Sequence, residues 1–162
     1  MRTERERLLS QACKQIMDEV ESAVKDFRQR QRPLVSDDHA TIHSRTLFVT
    51  QVENELAYLY RSALKVKHEV DSSKFRAQAN LQDKHTEVMD KPTFKSLNGF
   101  MSRPEVEIKL RSLAIEENYD VRIWESLSID VVYLIDVIRS YQQEASRERR
   151  DIDTRLRILG LY

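Results

Sequence analysis

Lys65, Lys67, Lys74 and Arg76, joined by His68 and Phe75, make a basic stretch with an aromatic ring inside it. Cations of this kind attract nucleic-acid phosphates without reading sequence, and a neighbouring ring can stack on an unpaired base. Glu69 and Asp71 interrupt the stretch, so a solvated helix end is the competing explanation. His39 and His43 stand four apart and share a helix face, a spacing that would suit a metal. No third ligand accompanies them, and solvated histidines near a helix start are the plainer reading. Cys13 and Trp124 fall on apolar stripes, where a buried small side chain and a core or interface anchor are expected before any chemistry. The chain has no glycine-rich phosphate loop, no Gly-x-Ser-x-Gly elbow, no zinc spacing of Cys and His, and no Glu-x-x-His pair for a di-metal carboxylate site. These absences lead to an expectation of no enzyme, no cofactor and no metal.

The totals bound the class. In 162 residues there are 27 basic and 27 acidic side chains, so the net charge is zero, which argues against a simple polyanion binder. The charge is nevertheless segregated. Residues 61–103 carry nine basic and five acidic groups, a balance of +4, whereas 104–138 carry three and eight, a balance of −5. Charged residues make up 33%, with only 2 Gly and 3 Pro, which suits long helices and disfavours sandwiches, barrels and glycine-rich nucleotide folds. The single Cys excludes an internal disulfide framework and fits a reducing compartment. No apolar run approaches the roughly 20 residues of a membrane span, and the Arg/Glu-rich N-terminus has no apolar leader core. A soluble, cytoplasmic protein with no membrane partner is expected.

The elements that must carry the basic stretch are read from apolar spacing. Trp124, Leu127, Val131, Leu134, Ile138, Tyr141 and Ala145 recur at alternating steps of three and four, one stripe of a helix facing a partner. Ile135 and Val132 would widen it. Leu9, Cys13, Ile16, Val20, Ala23 and Phe27 give a helix over 3–31, stopped near Pro33, with Arg28, Arg30 and Arg32 at its end. Val49, Val52, Leu56, Leu59, Ala63, Val66 and Val70 give a second over 38–70, capped from Ser36, Asp37 or Asp38, with a polar extension to about 91 that is expected to fray. Pro92 and Asn98-Gly99 mark a turn region over 92–103. Ser102-Arg-Pro-Glu105 reads as a capping box opening a long helix over 104–159, stopped by Gly160 and bent near Asn118–Asp120. Unbroken, that helix would run about 80 Å. The expectation is all-α: a single helical domain, 1–162, built as an elongated bundle of three or four long helices with heptad-like stripes. So much apolar stripe favours homo-oligomerisation. The arginines near the C-terminus, Arg147, Arg149, Arg150, Arg155 and Arg157, are read as partners in interchain salt bridges with the acidic 104–138 segment in preference to a second basic face.

At three places the chain resembles the phage UvsY family of recombination mediators. Ala63-Leu64-Lys65-Val66-Lys67 is similar to the family's Ala-Leu-Lys-x-basic segment; the run from Trp124 to Ile138-Arg139-Ser140 resembles its late helix; and Ile152 to Gly160, with Arg155 and Arg157, looks like its C-terminal helix. The resemblance covers roughly residues 10–160. It implies a small helical protein that forms rings and binds single-stranded DNA in recombination and repair. Such a protein loads a RecA-like recombinase onto DNA covered by single-strand-binding protein. From the family's motif only Lys65 and Lys67 carry over as DNA contacts, and Lys74 and Arg76 join them on the residue reading. The C-terminal helix would mediate assembly, placing Tyr141, Ile152, Leu156 and Leu159 at an oligomer interface. His68-Glu69-Val70-Asp71 departs from the family, which has tyrosines and glycine there, and the N-terminal helix and the 71–103 connection are longer. The alternative reading is a helical structural or adaptor protein that self-assembles without binding nucleic acid.

Overall fold

Uninterrupted three-and-four apolar spacing gives this chain helices and nothing else among the residues described by the structure, a computed structural model that covers 4–30, 39–92, 94 and 99–160. The helices are α1 (Glu4–Arg30), α2 (His39–Asp90), α3 (Arg103–Leu113) and α4 (Ile115–Ile158). Pro33, the cap candidates Ser36, Asp37 and Asp38, Arg32, the side chain of Arg30 and Asn98 lie outside the described residues. No helix among the described residues is long and apolar enough to cross a membrane.

The polar segment expected to fray after Asp71 is helical through to Asp90. No Gly or Pro falls between His39 and Asp90, and Ala77 and Val88 keep one face buried. Lys84 and Lys91 both pair with Glu87, at 3.0 and 3.3 Å, spanning the exposed face at three- and four-residue spacing. The expected bend is also displaced. The long C-terminal helix breaks at Ala114 (φ −122°, ψ 42°), four residues before Asn118. Asn118 is what stabilises the break: its side-chain amide donates to the Ala114 carbonyl at 2.8 Å and to the Arg111 carbonyl at 3.5 Å. The Ala114 carbonyl thus accepts from both the backbone N–H of Asn118, at 2.9 Å, and its side-chain amide. Upstream, Glu105 accepts from the backbone N–H and the hydroxyl of Ser102, each at 2.7 Å, so the carboxylate serves the start of α3 as the capping-box spacing implied. At the other end Gly160 takes the left-handed conformation (φ 64°) that stops α4.

The described residues divide into two compact units, residues 1–66 with 131–162 and residues 67–130. In the first, α1 and the flanking parts of α2 and α4 enclose Phe27, Ile42, Val49, Val52, Leu56, Ala145 and Ile152. Phe27 near the end of α1 meets Ile42 near the start of α2 and Ile152 near the end of α4, so α2 runs against the other two. Phe27 also stacks on Phe48, with ring centroids 6.4 Å apart. The second unit gathers Val88, Phe94 and Leu110, with Val106 against them.

Every residue of the Trp124–Ala145 stripe is buried or half-buried within the single chain, as is Ile135. Val132, expected to widen the stripe, is exposed instead, because it lies on the far side of α4 from Leu134 and Ile138. Cys13 is buried on the α1 stripe.

Candidate nucleic-acid interface

On a continuous helix the basic stretch of α2 cannot form one cluster. At about 100° per residue, Lys65 and Arg76 share one side and Lys67 and Lys74 share nearly the opposite one. Burial follows this division: Lys65 and Arg76 are exposed, whereas Lys67 and Lys74 are half-buried beside the apolar stripe. Lys67 pairs with Asp71 one turn on, which neutralises it locally. Among the described residues Arg61, Lys65 and Arg76 form no such pair. The four basic residues therefore do not form one cluster: Lys65 and Arg76 are exposed, and Lys67 and Lys74 are half-buried.

The outward side of α2 also contains residues that reading for basic density missed. Leu47, Gln51, Asn54, Tyr58, Arg61, Lys65 and His68 step by four and three along the face opposite the buried stripe, and all are exposed. Tyr58 is 67% exposed, one turn from Arg61, which is one turn from Lys65. No carboxylate stands in this row. The face thus presents a ring, a guanidinium and an ammonium in line; Phe75, in the second unit, is separately 73% exposed. The signal that finds Tyr58 and Arg61 is the same periodicity that finds the core, counted on the other side of the helix.

Of the C-terminal arginines expected to pair across chains with the 104–138 segment, Arg149 instead has a partner inside the chain and outside that segment. Arg149 on α4 meets Glu53 on α2 at 2.6 Å, Arg45 on α2 meets Glu148 on α4, and Arg28 on α1 approaches Glu144 at 3.9 Å. The hydrogen bond and charge of Glu53 raise the Arg149 pKa above its ordinary value. Glu53 thus takes Arg149, an arginine that the 104–138 segment was expected to hold. Arg28, Arg45 and Arg139 also stack over Tyr141, Phe48 and Tyr60, at 5.2, 5.6 and 5.6 Å from the ring centroids.

Of the residues assigned to an oligomer interface, Ile152 is buried in the first unit, and Tyr141 and Leu156 pack on the same core. Only Leu159 stays substantially outside, with Ile158 beside it 78% exposed. Packing within the chain has therefore taken up most of the surface assigned to assembly. Trp124 is 9% exposed and belongs to the core. His39 and His43 stack at 6.2 Å on the surface, and no group of three potential metal ligands occurs among the described residues.

Comparisons with protein-family models, with curated proteins and with solved structures find no match to this chain.

Proposed function

We propose that the protein is a non-enzymatic single-stranded-DNA-binding factor that acts as a recombination mediator. The observation supporting strand binding is the exposed row Tyr58–Arg61–Lys65 on the outward side of α2, which holds no carboxylate before Glu69 one turn beyond Lys65. Exposed cations without ion pairs gain most from replacing phosphate counterions, and the ring offers sequence-tolerant stacking. Lys67 and Lys74 are secondary in this reading, since Asp71 already engages the first and the second is half-buried.

Loading of a recombinase onto DNA held by single-strand-binding protein, and assembly of this chain into a ring, rest on the UvsY resemblance. Self-association would use the exposed Ile158–Leu159 end of α4, and several modest strand contacts on one oligomer would reinforce one another. The other reading, a self-assembling adaptor without nucleic acid, draws on the zero net charge. Fluorescence anisotropy of a labelled oligonucleotide at low and moderate salt separates the two. The mediator reading expects binding that weakens linearly in log salt; no binding at low salt rejects it.

A further inference from the structure

A second cationic feature lies on the first unit. Arg139, Arg147 and Arg150 on α4 line a groove of about 350 Å³, and Gln142, Gln143 and Ser146 complete its lining. No carboxylate lines it. Arg149, between two of the arginines in sequence, is held by Glu53 at 2.6 Å, whereas the groove arginines have weaker or neutral partners. Arg150 donates its Nε to the Ser146 carbonyl at 3.2 Å, leaving its two terminal nitrogens. Arg139 donates to the Tyr60 hydroxyl at 3.2 and 2.9 Å and reaches Asp136 only at 3.7 Å. Arg147 forms no ion pair among the described residues.

We infer that this groove binds phosphate oxygens and that its natural occupant is the phosphodiester backbone of a nucleic-acid strand. Guanidinium forks match phosphate oxygens in pairs, and arginine sheds its hydration more readily than lysine. Residues 139, 143, 147 and 150 follow one side of the helix, so donors succeed one another along a line, as a linear polyanion requires. The two glutamines favour nucleic acid over an acidic peptide. Their amides donate and accept, as base edges do, whereas ionised carboxylates only accept. The identity of the polymer rests on the strand-binding reading above; the affinity for phosphate does not.

The test uses the full chain and R147Q/R150Q, leaving Arg139 in place because it ties α4 to Tyr60; matched circular dichroism establishes that the variant folds. With a labelled oligothymidylate, the slope of log affinity against log salt should fall by about 1.4 in the variant, about 0.7 for each phosphate that is no longer neutralised. Tripolyphosphate should raise the melting temperature of the wild type and not of the variant. An unchanged slope together with an unchanged tripolyphosphate response overturns the inference. Polyglutamate binding that needs Arg147 and Arg150, with the oligonucleotide slope unchanged, also overturns it, in favour of an acidic protein partner. If the wild type binds no oligonucleotide but the tripolyphosphate response still needs these arginines, the groove stands and the strand-binding reading falls.

Discussion

Lys65 and Lys67 are two residues apart and occupy different environments. Lys65 stands on the exposed side of α2 in line with Arg61, and Lys67 lies beside the buried stripe with Asp71 as its partner. Removing the charge at each should therefore have unequal effects. R61Q/K65Q is expected to lower the salt slope of strand binding by about 1.4, and K67Q by less than the roughly 0.7 of one fully neutralised phosphate, in the same anisotropy assay. Equal effects at Lys65 and Lys67 would show that the pairing with Asp71 gives way on binding. Reading for basic density found Lys65 and Arg76 but included Lys67 and Lys74 with them and passed over Tyr58 and Arg61. Density along a sequence ignores which way each side chain points, and on a helix a separation of two residues reverses that direction.

At the scale of elements, the ends of α3 give two measurable handles. Glu105 has its pKa lowered from the ordinary value by the hydroxyl and backbone N–H of Ser102. Glu87 is lowered in the same way, first by the hydrogen bond from Lys84 and then by that from Lys91. A carboxylate depressed in the folded state contributes stability that is present above its unfolded pKa and lost as pH falls through the folded one. Helix content followed by circular dichroism should accordingly decline on acidification below the ordinary glutamate range, and an E105Q/E87Q variant should show a shallower decline. At the opposite end of α3, N118A withdraws the donor that serves the Ala114 and Arg111 carbonyls and should cost about 1 kcal/mol in urea unfolding. No change in midpoint would mean that water replaces the amide without loss. The existence of these helices was legible in the spacing, and so was the capping box. The position of the break was not, because Asn118 acts on carbonyls a full turn or more upstream of itself.

At the scale of the whole molecule, the matter is where the long apolar stripes find partners. Leu134 and Ile152 are both buried within one chain, so L134A and I152A should each lower unfolding free energy by about 2–5 kcal/mol, independently of protein concentration. Leu159 remains on the surface, and L159D should leave the melting temperature near that of the wild type. Light scattering of L159D then tests self-association: a reduced mass with intact folding supports assembly through this end, and an unchanged oligomer mass removes it. The sequence by itself determined that the chain is helical, which side of each helix is apolar and that Cys13 falls on such a side, because these follow from local periodicity and side-chain hydrophobicity. Only the tertiary structure decided which helix covers which stripe. It assigned Ile152, Tyr141 and Leu156 to the chain's own core, gave Glu53 to Arg149, and left Arg61, Lys65, Arg147 and Arg150 without carboxylate partners among the described residues. Those outcomes depend on groups distant in sequence coming within a few ångströms, and periodicity along a single helix carries no record of them.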